Sequence, residues 1–128
     1  MGRRGFYRTL DFRIADQGPL SRATRAFGCE TFVQAAEAVR ALPYGRVRDT
    51  QDIAAVLAER RGTCSSKHRF LAGLAHECGR TDIKLMLGLY EMSEANTPGV
   101  APALAELTAV PEAHCYLMHE GMRLDFTG

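Results

Sequence analysis

The chain has 128 residues, 46% of them hydrophobic and 24% charged, enough for one packed domain and too few for two. A formal charge of +1 gives no electrostatic case for a nucleic-acid or membrane partner. No apolar run reaches the roughly 18 residues of a membrane span, and the first residues hold no apolar signal core.

Four cysteines, Cys29, Cys64, Cys78 and Cys115, are scattered without a C-x-x-C pair, which points to a reducing cytoplasm. Arginine outnumbers lysine 14 to 2, a skew expected of a GC-rich bacterial genome more than of a binding role. Residue Phe6 stands where the myristoylation pattern needs Ser or Thr.

Residues 1–18 are basic, with Phe6, Leu10, Phe12 and Ile14 near alternation, as in an edge strand or an arm packed on the core. A short helix over 19–27 ends at Gly28. Thr31 opens a clearer helix, with Gln34 at the capping-box position and an apolar stripe of Phe32, Ala35, Val39 and Leu42, stopped by Pro43. Asp49 or Thr50 is expected to cap the next helix, with Ile53, Val56 and Leu57 inward and Arg60-Arg61-Gly62 closing it. A helix follows from Cys64, with Phe70, Leu71, Leu74, Ala75 and Cys78 on its apolar side and Gly79 at its end. Its Lys67 and Arg69 are expected on the solvated face.

The period then changes. Ile83 to Met92 is almost continuously apolar, as expected of one central strand buried on both faces. Residues 93–111, with Pro98, Gly99, Pro102 and Pro111, read as a long loop holding one helical turn near 103–107. Two strands, about 113–119 and 122–127, end the chain. Helices first and antiparallel strands last make an α+β order in a single domain.

Cys64 follows a turn and opens a helix, where free N–H groups and the positive dipole end favour a thiolate. About fifty residues on come His114 and, eleven later, Asp125. With Glu120-Gly121 as a two-residue hairpin turn, 119 pairs with 122 and 116 with 125. His114, Tyr116, Met118, Arg123, Asp125 and Thr127 then share one face. His114 and Asp125 become diagonal neighbours, close enough for an imidazole–carboxylate hydrogen bond. The order nucleophile, base, orienter suits covalent catalysis.

Gly62-Thr63-Cys64, Ala113-His114-Cys115-Tyr116 and Leu124-Asp125-Phe126-Thr127 together resemble the three motif blocks of the transglutaminase-like superfamily, within the papain-like cysteine-enzyme fold. The resemblance covers about residues 50–128 and leaves 1–49 unexplained. It implies a Cys64-His114-Asp125 triad and acyl transfer through a thioester, on a peptide, protein or small amide or ester. It implies no cofactor.

The backbone N–H of Cys64 is one candidate oxyanion donor, and Gln51 or Tyr44 a second. Tyr116, where many members of the superfamily carry tryptophan, and Arg46 are candidates for binding substrate. Tyr90 and Met92 are candidates for the site's border. Cys64 and His68 at i, i+4 share a helix face, but the chain has no strong zinc spacing, so no metal site is expected. Cys29 and Cys115 read as core. The competing class is a binding module that keeps the three residues without turnover. Oligomeric state is not legible.

Overall fold

The protein is described by a computed structural model covering residues 10–87, 90–91 and 114–127, with the backbone alone for 90–91. Phe6, the 93–111 loop and Met92 lie outside the described residues. Among the described residues, four helices, α1 (Pro19–Phe27), α2 (Phe32–Ala41), α3 (Ala55–Glu59) and α4 (Cys64–Glu77), precede four strands, β1 (Lys84–Leu87), β2 (Tyr90–Glu91), β3 (Cys115–His119) and β4 (Met122–Leu124). The order is α+β, as the sequence implies. The sheet is antiparallel throughout, in the order β2-β1-β3-β4.

Helix α4 is the axis of the fold. It packs against α1, α2 and α3 and also against β1 and β3. Its Phe70, Leu71, Leu74 and Ala75 are fully buried, as their spacing requires. Its C-terminus closes with the Arg80 N–H on the Ala75 carbonyl and the Gly79 N–H on His76, a Schellman arrangement with Gly79 at φ 84. His76 then donates Nε2–H to the Ile83 carbonyl at 2.9 Å, tying the helix end to the start of the sheet.

The N-terminal segment is an arm on the core. Leu10 and Ile14 are buried, Phe12 stacks on Phe32 at 4.9 Å, and Arg13 bridges to Thr31. Glu77, at the end of α4, accepts the Leu20 and Ser21 N–H groups and so caps α1 from across the core.

Five sequence expectations change. The 83–92 run is two strands rather than one: β1 and β2 pair antiparallel, Met86 with Glu91 and Leu87 with Tyr90. A continuous apolar run hides such a break, because a hairpin of apolar strands has the same composition as one buried strand. Nor is β1 buried on both faces, since Lys84 is exposed and Met86 and Leu87 are half-buried.

Neither Asp49 nor Thr50 caps a helix. Asp49 and Asp52 accept the N–H groups of Gln51 and Ala54 in successive turns, and α3 starts only at Ala55. Local side-chain bonds of this kind compete with helix. Gln34 takes the Glu30 N–H at 2.8 Å instead of the Thr31 N–H, although Thr31 does cap α2 through the Gln34 N–H. Finally, Lys67 is fully buried and Arg69 half-buried, not on a solvated face.

The last hairpin takes the expected register, Leu117 with Leu124, Met118 with Arg123 and His119 with Met122. Glu120 and Gly121 both have positive φ, 51 and 76, the signature of a type I′ turn whose twist matches that of the strands.

Candidate functional site

The start of α4 is built by a reciprocal cap. The Thr63 hydroxyl accepts the Ser66 N–H at 3.4 Å, and the Ser66 hydroxyl accepts the Thr63 N–H at 2.8 Å. Cys64 is therefore the first helical residue, as its position after Gly62-Thr63 implies. Gly62 has no room for a side chain. A Cβ there would sit 2.8 Å from both Lys67 Cγ and Val56 Cγ2. The close packing brings the approach to α4 against α3 and fixes where Cys64 begins.

At the other side, the His114 Nε2–H donates to Asp125 Oδ2 at 2.7 Å. Asp125 Oδ1 accepts both the N–H and the hydroxyl of Thr127, at 3.0 and 2.6 Å. Both carboxylate oxygens are thus committed. Burial pushes the Asp125 pKa up, but the bonds from Thr127 and His114 outweigh it and hold it at about 2. With Nε2 donating, Nδ1 is the imidazole nitrogen left to take a proton.

Two buried residues that sequence reasoning set aside lock these parts together. His68 donates Nδ1–H to the Cys64 carbonyl at 2.8 Å and accepts the Phe126 N–H on Nε2 at 2.7 Å. Burial drives its pKa down to about 4, so it is neutral near pH 7. Lys67 reaches the carbonyls of Leu42 at 2.8 Å, Thr127 at 2.7 Å and Arg40 at 3.4 Å. The first two join the exit of α2 to the chain after β4, next to Asp125. The sequence signal was available for His68, an uncharged-capable ring on an otherwise apolar helix side. For Lys67 only the folded chain reveals three carbonyls converging on its path.

The Cys64 thiol is pulled down to about 6. The largest cause is a hydrogen bond from the Cys115 thiol. Burial opposes it, the Cys115 backbone N–H adds to it, and the His114 charge lowers it further while Asp125 raises it. Cys115, in turn, is pushed strongly upward by that same hydrogen bond, by burial and by the Cys64 charge. Cys64, His114 and Asp125 therefore act on one another electrostatically in one neighbourhood. Cys115 is core, as expected.

The remaining candidates are spread out. Tyr44 is 69% exposed, and its backbone bridges to Gly62, two residues before Cys64. Gln51 is exposed in the turn before α3. Arg46 is exposed and borders a cavity of about 20 Å³ with Thr63, Ser65, Ser66 and Arg69, room for about one water. Tyr116 is 4% exposed, with the His114 ring 6.5 Å away on one side and the Arg123 guanidinium 4.2 Å over its face. It is placed to wall the His114 ring more than to meet solvent. The side chain of Tyr90 lies outside what is described.

Among the described residues no three His, Cys, Asp or Glu side chains gather as metal ligands, and no helix is long and apolar enough to cross a membrane. Both nitrogens of His68 are occupied by backbone groups, so the i, i+4 pair with Cys64 serves the main chain. A scan against protein-family models, a search of curated proteins and a search of solved structures each return no match.

Proposed function

We propose that the protein is a cysteine acyl-transfer enzyme of transglutaminase-like type, with Cys64 as nucleophile, His114 as acid and base, and Asp125 as the orienter of His114. The observation that carries this reading is the Asp125–His114 hydrogen bond of 2.7 Å, with the main chain beside Asp125 joined through His68 to the main chain of Cys64 at the helix start. A structural cysteine in a core has its pKa raised by burial, as Cys29 does. Cys64 departs in the direction a nucleophile needs.

In this reading the Cys64 thiolate attacks the carbonyl carbon of an amide or ester. The tetrahedral oxyanion forms against the Cys64 N–H, free of helix bonding at the first position. Collapse breaks the C–N or C–O bond, and His114 Nδ1 gives its proton to the leaving group. Water or an amine, deprotonated by His114, then resolves the thioester. Asp125 keeps Nε2–H engaged and supports the imidazolium that forms. Tyr44, bridged beside Gly62, is a candidate second oxyanion donor, and Arg46 and Tyr116 are candidates for framing the substrate.

The experiment is acyl-enzyme trapping with a panel of activated esters and glutamine or peptide amides, read by intact mass. Wild type should gain the acyl mass on Cys64 and release it to water or an added amine. Cys64→Ala should do neither. Turnover that survives in Cys64→Ala sinks the assignment. A wild type that neither acylates nor shows a depressed thiol pKa favours a binding module instead.

A further inference from the structure

Asp125 follows β4 with its side chain 37% exposed, so water competes with His114 for its carboxylate. What turns it to His114 lies two residues on. Oδ1 accepts the Thr127 N–H at 3.0 Å and the Thr127 hydroxyl at 2.6 Å. The N–H bond alone is the ordinary turn an aspartate makes with its own main chain. The hydroxyl adds a second, shorter bond to the same oxygen. Two donors on Oδ1 fix the plane of the carboxylate, and Oδ2 is the oxygen that meets the His114 Nε2–H at 2.7 Å. His68 does not share this task. Its Nε2 stands 3.8 Å from Oδ1, beyond hydrogen-bond reach, and already accepts the Phe126 N–H.

Thr127 is itself held. Its carbonyl accepts from Lys67 Nζ at 2.7 Å, and the Phe126 N–H before it ends on His68. Residues 125–127 lie outside any strand, yet two consecutive residues of α4 anchor their backbone. The Thr127 hydroxyl is therefore presented from a fixed main chain, which a positioning group requires.

We propose that Thr127 is a positioning residue for the His114–Asp125 pair: its hydroxyl holds Asp125 in the orientation that keeps the His114 proton on Nε2 and leaves Nδ1 bare. A carboxylate turned to water releases the Nε2–H, and the neutral ring then divides between its two tautomers. Only the tautomer with Nδ1 bare can take a proton on the side away from Asp125. The same bonds keep Asp125 ionised. Burial raises its pKa, and the bonds from Thr127 and His114 bring it down to about 2. The effect on acyl transfer rests on the function proposed above; the effect on the pair does not.

The test compares Thr127→Val, which keeps the shape and loses the hydroxyl, with Thr127→Ser, which keeps the hydroxyl. Nitrogen-15 NMR of the His114 ring reads the tautomer, and carbon-13 titration of the Asp125 carboxyl reads its pKa. Wild type and Thr127→Ser should show Nε2 protonated and Nδ1 bare. Thr127→Val should show mixed tautomers and an Asp125 pKa about one unit higher, the equivalent of one hydrogen bond to a charged group. Its kcat for acyl transfer should fall about tenfold at unchanged KM, and serine should restore it. A wild-type tautomer and a wild-type Asp125 pKa in Thr127→Val overturn the proposal. So does Thr127→Ser as impaired as Thr127→Val. So does a wild-type Asp125 that titrates at about 4, like a free aspartate, a result that needs no variant to fold. Mixed tautomers in Thr127→Val, in a protein that never acylates Cys64, uphold the positioning role and remove the enzyme reading. Acylation of Cys64 with the pair unchanged in Thr127→Val does the reverse.

Discussion

The backbone N–H of Phe126 ends on Nε2 of His68 at 2.7 Å, while the Nδ1–H of the same ring ends on the Cys64 carbonyl at 2.8 Å. One buried imidazole thus links the main chain of the candidate nucleophile to the main chain beside Asp125. Only the neutral Nδ1–H tautomer makes both bonds, because Nε2 must accept. The distance between thiol and carboxylate is therefore set through a side chain that never needs to touch a substrate.

That linkage predicts an acid-sensitive fold. His68 titrates near 6.5 when unfolded and about 4 when folded, so the unfolded chain binds more protons between those values. Its contribution is fully present above about pH 6.5 and is lost as pH falls toward 4. The shift corresponds to about 3 kcal/mol. Urea unfolding across this range should show wild type weakening in acid. His68→Gln should be weaker at pH 7 but should lose most of that slope. An unchanged slope in the variant would assign the acid sensitivity elsewhere.

Lys67 should be costly to remove. It is fully buried, burial lowers its pKa, and its ammonium holds the carbonyls of Leu42 and Thr127. Lys67→Met relieves the buried charge but leaves those carbonyls without their donor. We expect a loss of about 2–4 kcal/mol in chemical unfolding, the unsatisfied carbonyls outweighing the relief. A neutral Lys67→Met would mean water replaces the ammonium at no cost.

The pieces of this arrangement differ in how openly the sequence carries them. The Cys64 helix start, the Gly79 exit, the 120–121 turn and the His114–Asp125 pairing follow from local rules of capping, φ preference and strand alternation. The β1–β2 break does not, since hydrophobicity is blind to where an apolar run turns back. The burial of Lys67 and the reach of His68 depend on backbone groups 25 to 60 residues away, which no local pattern encodes. Cys115 was readable as core from alternation, but its influence on the Cys64 thiol required knowing that α4 packs on β3.

Gly62 should resist substitution for steric reasons alone. A Cβ would meet Lys67 Cγ and Val56 Cγ2 at 2.8 Å and Ser66 Oγ at 2.9 Å. The Ser66 hydroxyl belongs to the cap of α4, and Val56 and Lys67 are buried, so none has free room to retreat. Gly62→Ala should cost about 1–3 kcal/mol by overpacking. Thermal melts should show the loss, and a paired Val56→Ala should recover part of it. Equal stability of Gly62→Ala and wild type would show that the α3–α4 junction yields easily.

The thiol itself offers the sharpest test. With the Cys64 pKa at about 6, iodoacetamide should label it half-maximally near pH 6, against about 8.5 for an ordinary thiol. Each donor that stabilises the thiolate should, when removed, move that midpoint upward. Cys115→Ala loses the thiol hydrogen bond, the largest cause, and should shift it most. His114→Ala loses a charge contribution and should shift it less. Asp125→Asn has the opposite sign, because the Asp125 charge raises the Cys64 pKa, so its direct effect lowers the midpoint. That variant also weakens the hold on His114, so its turnover should fall even though its thiol labels readily. Tryptic mapping would follow Cys64 apart from Cys29 and Cys78, whose burial raises their pKa. A wild-type midpoint near 8.5, or identical midpoints in Cys115→Ala and wild type, would mean that the Cys115 thiol does not hold the Cys64 anion.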